Sequence, residues 1–169
     1  MYINRNEYFR QFSKKTDKGL EIGPSYNPVF PKSDGWNVKI IDYLSKDGLI
    51  KKYGDKPNVD AQRIDPVDYL VDGSAFYTQI PVEEYGTFKY IALSHTLEHI
   101  CDVIDYFKGC EKLLCEGGKV IVAIPDKRFC FDFFRPLTTT GDILRSHWEG
   151  RSTHPTDVLF DSNDLVCSN

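Results

Sequence analysis

The chain has 169 residues, a formal net charge of −4, 41% apolar residues and 27% charged ones. That is one domain's worth of chain, long enough to bury a core without metal or disulfide staples, and its composition excludes collagen-like, coiled-coil and wholly disordered architectures. The acidic balance and the lack of a basic patch argue against nucleic acid as a partner.

A first helix is expected from Asn4, with Glu7 three residues on as a capping box and Tyr8 and Phe12 sharing a face. Gly19 to Gly23 reads as a short strand ending in a turn, and the proline-bearing stretch from Pro24 to Gly35 as loop. Val38–Asp42 is a second strand, followed by a short helix from Ser45 to about Tyr53 that Gly54 stops. Asp68–Asp72 is a third strand closed by Gly73-Ser74, and Phe88–Ser94 a fourth. Asp102 caps the clearest helix, in which Val103, Phe107, Cys110 and Leu114 make the apolar stripe and Gly117-Gly118 the stop. Lys119–Ile124 is a fifth strand, apolar enough for the centre of a parallel sheet. Beyond it Phe129, Phe131, Phe133 and Phe134 crowd together, a helix spans about Thr140 to Trp148, and Arg151 to Asn169 shows no clear element. Strands alternating with helices predict an α/β fold with a mainly parallel, doubly wound sheet. The whole of 1–169 reads as one domain, with an N-terminal helix in 1–18, a core in 19–126 and a tail in 127–169.

The five cysteines (Cys101, Cys110, Cys115, Cys130 and Cys167) have no C-x-x-C spacing, so neither a disulfide framework nor a zinc knuckle is indicated. The first fifteen residues lack the apolar core of a signal peptide. The longest dense apolar run, Val120–Ile124, falls far short of the roughly 20 residues of a membrane helix. A reduced, cytoplasmic protein without a membrane partner is expected.

Chemistry concentrates at the strand ends. Leu20-Glu-Ile-Gly-Pro-Ser-Tyr-Asn27 puts one glycine after the first strand, where a ligand can approach the backbone. A dinucleotide fingerprint needs G-x-G-x-x-G, and here Ser25 and Asn27 stand where further glycines belong. Glu21 in the same turn suits a cation better than a polyanion. Asp42 ends the second strand about 20 residues after Gly23, the spacing of a ribose-binding acid. Asp72, before Gly73-Ser74, ends the third, where an acid can accept from an exocyclic amine. One such acid is an ordinary solvated strand-end carboxylate; three in order point to a bound ligand.

With these residues in place, 19–126 resembles the class I S-adenosylmethionine-dependent methyltransferases, whose fold is Rossmann-like. Glu21-Ile-Gly23 is similar to that family's first motif, Asp42 to its ribose acid and Asp72-Gly73 to its adenine-side acid. Phe88 to Ile100, with Leu97-Glu-His99, resembles the fourth strand and following segment of the small-molecule branch, and Leu113 to Val120 the approach to strand five. The stretch Ile124 to Arg135 resembles a glycosyltransferase-associated subgroup, which implies a sugar or glycan acceptor. The resemblance implies S-adenosylmethionine as cofactor, S-adenosylhomocysteine as product, and contacts from Glu21, Gly23, Pro24, Ser25, Asp42, Tyr43, Asp72, Gly73, Ser94 and His95. His95 and His99 are the candidate catalytic residues, as general base or acceptor-positioning groups; hydrogen-bonded structural histidines are the alternative. Two departures stand out. The first motif lacks its second and third glycines, and only five of the family's seven strands are recognisable, strands six and seven being expected after the present end. An edge left open in this way invites a second copy of the chain as partner.

His95-Thr-Leu-Glu-His99 also spells the inverted zinc-protease pattern, but that pattern must lie on a helix and here follows a strand directly, so no metal site is expected. His147 and His154 read as surface residues, with a place at the site as the alternative. Lys127, Arg128 and Arg135 are solvated charges or contacts for an anionic or sugar-phosphate acceptor. The rival functions are a non-catalytic, shortened methyltransferase-like domain and, more remotely, a nicotinamide-dependent oxidoreductase, which needs the missing glycines.

Overall fold

The computed structural model describes residues 4–130 and 135–156. Its elements are α1 (Arg5–Arg10), β1 (Gly19–Ile22), β2 (Val38–Asp42), α2 (Lys46–Tyr53), β3 (Tyr69–Leu70), β4 (Phe88–Ser94), α3 (Val103–Leu113), β5 (Leu114–Ala123) and α4 (Thr140–Trp148). The five strands form one sheet in the order β3-β2-β1-β4-β5, and every neighbouring pair is parallel. Both faces are covered, as a parallel sheet requires. On one face Phe9 of α1, Val29, Phe30 and Trp36 pack on Tyr90, Ala92 and Ile121. On the other, Phe76, Ile80 and the α3 residues Tyr106, Cys110 and Leu113 pack on Leu20, Ile22, Ile41, Ile91 and Leu93. This is the doubly wound, Rossmann-like α/β arrangement, with the reversal of strand order between β1 and β4.

The local signals that set the boundaries are visible in the structure. Ser45 caps α2 by accepting from the Gly48 N–H, and Gly54 follows its last residue. A complete capping box, Thr139 with Asp142, starts α4. At α1 the Asn4 side chain accepts from the Asn6 N–H, so the cap forms without the expected partner Glu7.

Three expectations are corrected. The buried stripe of α3 is Tyr106, Gly109, Cys110 and Leu113, rotated from the expected one; Phe107 is exposed. Gly109 lies where a Cβ would come 2.4 Å from the Tyr77 ring, so the close approach of that segment, rather than apolarity alone, selects the face. Gly117-Gly118 does not end the helix: α3 passes into β5 at Leu114, and the register jumps from Phe88 opposite Leu114 to Tyr90 opposite Lys119. Gly117, at φ +72°, turns within that bulge. Finally, β5 is the outer strand of the described sheet, with Ile121 its one buried residue, and β3 is paired over two residues only.

Phe131, Phe133, Phe134 and residues 157–169, including Cys167, lie outside the described residues. Cys101, Cys110, Cys115 and Cys130 are free thiols. No helix among the described residues is long and apolar enough to cross a membrane.

Candidate functional site

At the carboxyl ends of the strands lies a cavity of about 730 Å³, whose wall includes Gly23, Asp42, Tyr43 and Gly73. Ligand pockets run from about 300 to 1,000 Å³, and this one falls within that range. It opens at the switch point of the sheet, where such folds bind ligands.

Asp42 ends β2 with only 2% of its surface exposed. Its Oδ2 accepts the Ser25 N–H at 2.9 Å and its Oδ1 the Tyr43 N–H at 2.8 Å. Burial raises its pKa, against the opposing pull of the amides of Ser25, Tyr43 and Leu44 and the charge of Lys52. Each carboxylate oxygen can accept more than one hydrogen bond. The amides fix the group in the cavity wall and leave it acceptor capacity for a vicinal diol. Gly23 has φ +63°, and a Cβ there would come 3.3 Å from Thr96 Oγ1, whose hydroxyl donates to the Ile22 carbonyl. Only glycine lets the backbone pass at this point without strain.

The far wall is apolar. Ile41, Val71, Phe76 and Tyr106 line it, with the Phe76 and Tyr106 rings stacked 4.4 Å apart. The buried Tyr106 hydroxyl has no hydrogen-bond partner among the described residues. The cavity thus sets a fixed carboxylate beside a flat apolar slot.

Not every sequence candidate comes to this cavity. Gly23, Asp42, Tyr43, Gly73 and His99 do. Glu21 points to the α1 face, 1% exposed; its Oε1 accepts the Val29 N–H at 2.7 Å and its Oε2 the Phe30 N–H at 3.0 Å. Burial pushes its pKa up to about 7, against those amides and the Arg5 charge. Both oxygens are thus committed to the loop after β1, and the side chain anchors that loop. Ser25 contributes its amide to Asp42, and the Pro24 carbonyl closes a turn by accepting the Asn27 N–H. Asp72 is turned onto its own loop, where its Oδ1 accepts from the Ser74 amide and hydroxyl and from Gln79. Those bonds, the Ser74 hydroxyl first, hold its pKa below the ordinary value. Ser94 Oγ accepts from Arg5 at 3.3 Å, and the same guanidinium donates to the Asn27 carbonyl.

His95 adopts φ +54° and donates its N–H to the Ala123 carbonyl, with Nδ1 3.6 Å from Glu98. Leu97–His99 is a single 3-10 turn, so the helix that the inverted zinc-protease pattern needs is not formed. The His99 carbonyl accepts from His154 Nε2 at 3.2 Å.

His147, for which the sequence favoured the surface over the site, comes to the cavity. Its Nδ1 lies 2.9 Å from Asp102 Oδ2 and its Nε2 3.0 Å from Lys108 Nζ. With the ammonium donating to Nε2, the proton sits on Nδ1 and faces the carboxylate. Asp102 also caps α3 through the Asp105 N–H. Its partial burial opposes ionisation, but the Asp105 amide and His147 outweigh that and hold the carboxyl below its ordinary pKa. Asp102 and His147 both line the cavity, so the end of α4 and the residues 150–152 after it form part of its wall. Nothing in the sequence near either residue announces a contact across 45 positions.

The all-parallel sheet and its strand order define the chain as a Rossmann-like α/β protein. No protein-family model matches the sequence, and no curated protein matches it. Among solved structures, a protein of Rhodobacter sphaeroides described as a Zn-dependent alcohol dehydrogenase is similar over 70% of this chain, at 18% identity and a TM-score of 0.45. The chain spans 44% of that protein's length.

Proposed function

We propose that this chain binds S-adenosylmethionine in the 730 Å³ cavity and transfers its methyl group to a small molecule or sugar, releasing S-adenosylhomocysteine. One observation carries the reading: Gly23, Asp42 and Gly73, from three successive strand ends, converge on one cavity with an apolar slot beside them. A nicotinamide dinucleotide shares the ribose acid but brings a pyrophosphate, which needs the amides of a helix N-terminus. The segment joining β1 to β2 contains only the 3-10 turn Lys32–Asp34 and no α-helix. That favours an adenosyl ligand without pyrophosphate.

When bound, the sulfonium cofactor supplies an activated methyl group. The protein's part is then largely placement. Asp42 accepts from the ribose diol, Gly23 lets the backbone lie close, and Ile41, Val71, Phe76 and Tyr106 receive the purine. His99, in the cavity wall, is the base offered to an acceptor hydroxyl. His147, Arg151 and Ser152 add to the wall that shields the site from water.

The test is thermal unfolding with S-adenosylmethionine, S-adenosylhomocysteine and NADH in parallel. A ligand at 100 times its Kd adds about 2.7 kcal/mol, a shift of several degrees for a domain of this size. A shift with the adenosyl compounds alone, lost in Asp42→Ala, supports the reading. A shift with NADH alone overturns it. Methyl release with candidate sugars then separates an enzyme from a non-catalytic domain that only holds the cofactor.

A further inference from the structure

A second, smaller cavity of about 250 Å³ lies beside the first, between residues 135–138, α4 and residues 153–155. The two share Ile100, Cys101 and Arg151. The turn Leu97–His99 touches both: Glu98 lines the smaller cavity and His99 the larger. His154, which also lines the smaller one, donates from Nε2 to the His99 carbonyl at 3.2 Å. A group seated in the smaller cavity therefore abuts the turn that carries His99.

The charges around it are matched. Arg135, Arg145 and Arg151 line the cavity with Glu98 and Asp142, and Glu149 adds a third carboxylate by pairing with Arg151 Nε. Asp142 accepts from the Thr139 N–H and hydroxyl and lies in the field of Arg145 and Arg151. Glu98 lies 3.6 Å from His95, and Arg135 has interactions of its own. An anion finds no surplus of positive charge here.

An apolar group would strip water from these side chains and give nothing back. A hydroxyl both donates and accepts, so it replaces that water bond for bond. The wall offers donors in its guanidinium groups and in the Thr138 and Thr153 hydroxyls, and acceptors in carboxylate oxygens that each take more than one bond. Val103, Leu137 and Ile143 supply apolar surface between them. A ring with hydroxyls at its edge and C–H groups on its faces matches both. At 250 Å³, below the range of a pocket for a whole ligand, the space takes one such ring.

We infer that the smaller cavity binds a neutral polyhydroxylated ring, a pyranose or a cyclitol, as the methyl acceptor. That the ring receives a methyl group rests on the reading of the larger cavity; that it binds here does not.

Ligand-observed NMR titration of the intact chain tests this, with the methyl pyranosides of glucose, galactose and mannose and with myo-inositol as probes. A hexose phosphate and cyclohexanol serve as the charged and the apolar counterparts. Saturable binding of at least one neutral polyol is expected, weakened about tenfold in Arg145→Gln and about threefold in Thr153→Val. Arg145 and Thr153 are exposed and lie outside the larger cavity, so both variants keep the fold and the affinity for S-adenosylhomocysteine. Preference for a pyranoside identifies a sugar, preference for inositol a cyclitol, and either supports the site. No saturable binding of any neutral polyol, or the same affinity in both variants as in the natural chain, overturns it. So does tighter binding of the hexose phosphate or of cyclohexanol than of every neutral polyol. Polyol binding without any binding of S-adenosylhomocysteine leaves the ring site standing and removes the methyl-acceptor reading.

Discussion

His147 Nδ1 lies 2.9 Å from Asp102 Oδ2, so the last helix of the described chain is fastened to the residue that caps α3. Ser146 strengthens the junction by donating its hydroxyl to the Cys101 carbonyl. The same helix exposes Leu144 and Trp148 on its outer side, so its own apolar contacts hold it less firmly than they hold α3. The hydrogen bond from His147 to Asp102 therefore helps to hold this part of the cavity wall in place.

Replacing His147 by alanine should release α4 while the sheet stays intact. Hydrogen exchange read by mass spectrometry should quicken across 140–148 and remain slow in β1 and β4. The expected loss of stability is about 1–2 kcal/mol, that of one hydrogen bond to a charged, partly exposed group. Unchanged exchange in 140–148 would mean that the Ser146 bond suffices.

Glu21 should make stability depend on pH. Its carboxyl is fully buried and its folded pKa lies at about 7, well above that of an unfolded glutamate. The folded state therefore holds the proton between those values while the unfolded state has lost it. Stability is highest below the unfolded pKa, falls as pH rises through the window, and levels off above the folded value. The span is on the order of 3 kcal/mol. Urea denaturation from pH 4.5 to 8 should show the decline in the natural chain and a flatter profile in Glu21→Gln. Equal profiles would rule out Glu21 as its source.

Asp42 carries both structure and the proposed recognition. In Asp42→Asn the amide nitrogen must face the N–H of Ser25 or Tyr43, which costs one bond, about 1–2 kcal/mol. The remaining oxygen cannot serve the turn and a diol equally. Affinity for S-adenosylhomocysteine should fall at least tenfold, measured by calorimetry on folded protein. Unchanged affinity would remove Asp42 from the ligand site.

Gly19 and Tyr90 offer a contrast on the opposite face. A Cβ on Gly19 would stand 2.0 Å from Tyr90 Cζ, inside a ring that is itself buried against Phe30. Gly19→Ala should cost about 1–3 kcal/mol, the range for overpacking a core. The Tyr90 hydroxyl is buried without a partner among the described residues. Tyr90→Phe should therefore be neutral or stabilising. Midpoints in urea would check both.

Much of the fold was written in local sequence. Val38–Asp42, Phe88–Ser94 and Thr140–Trp148 appear with the expected ends because apolar runs, caps and stops act within a few residues. The spacing of Gly23, Asp42 and Gly73 already pointed to one shared cavity at the strand ends, since parallel strands bring those ends to one edge. Tertiary structure decided the rest. Whether a strand-end acid faces ligand or scaffold depends on the pleat and on what covers each face, so Asp42 turns to the cavity and Glu21 to the loop amides of Val29 and Phe30. The bulge that moves Gly117 from helix stop to strand exists only against β4. The meeting of His147 with Asp102 joins segments that no periodicity links, and packing of α4 on α3 creates it.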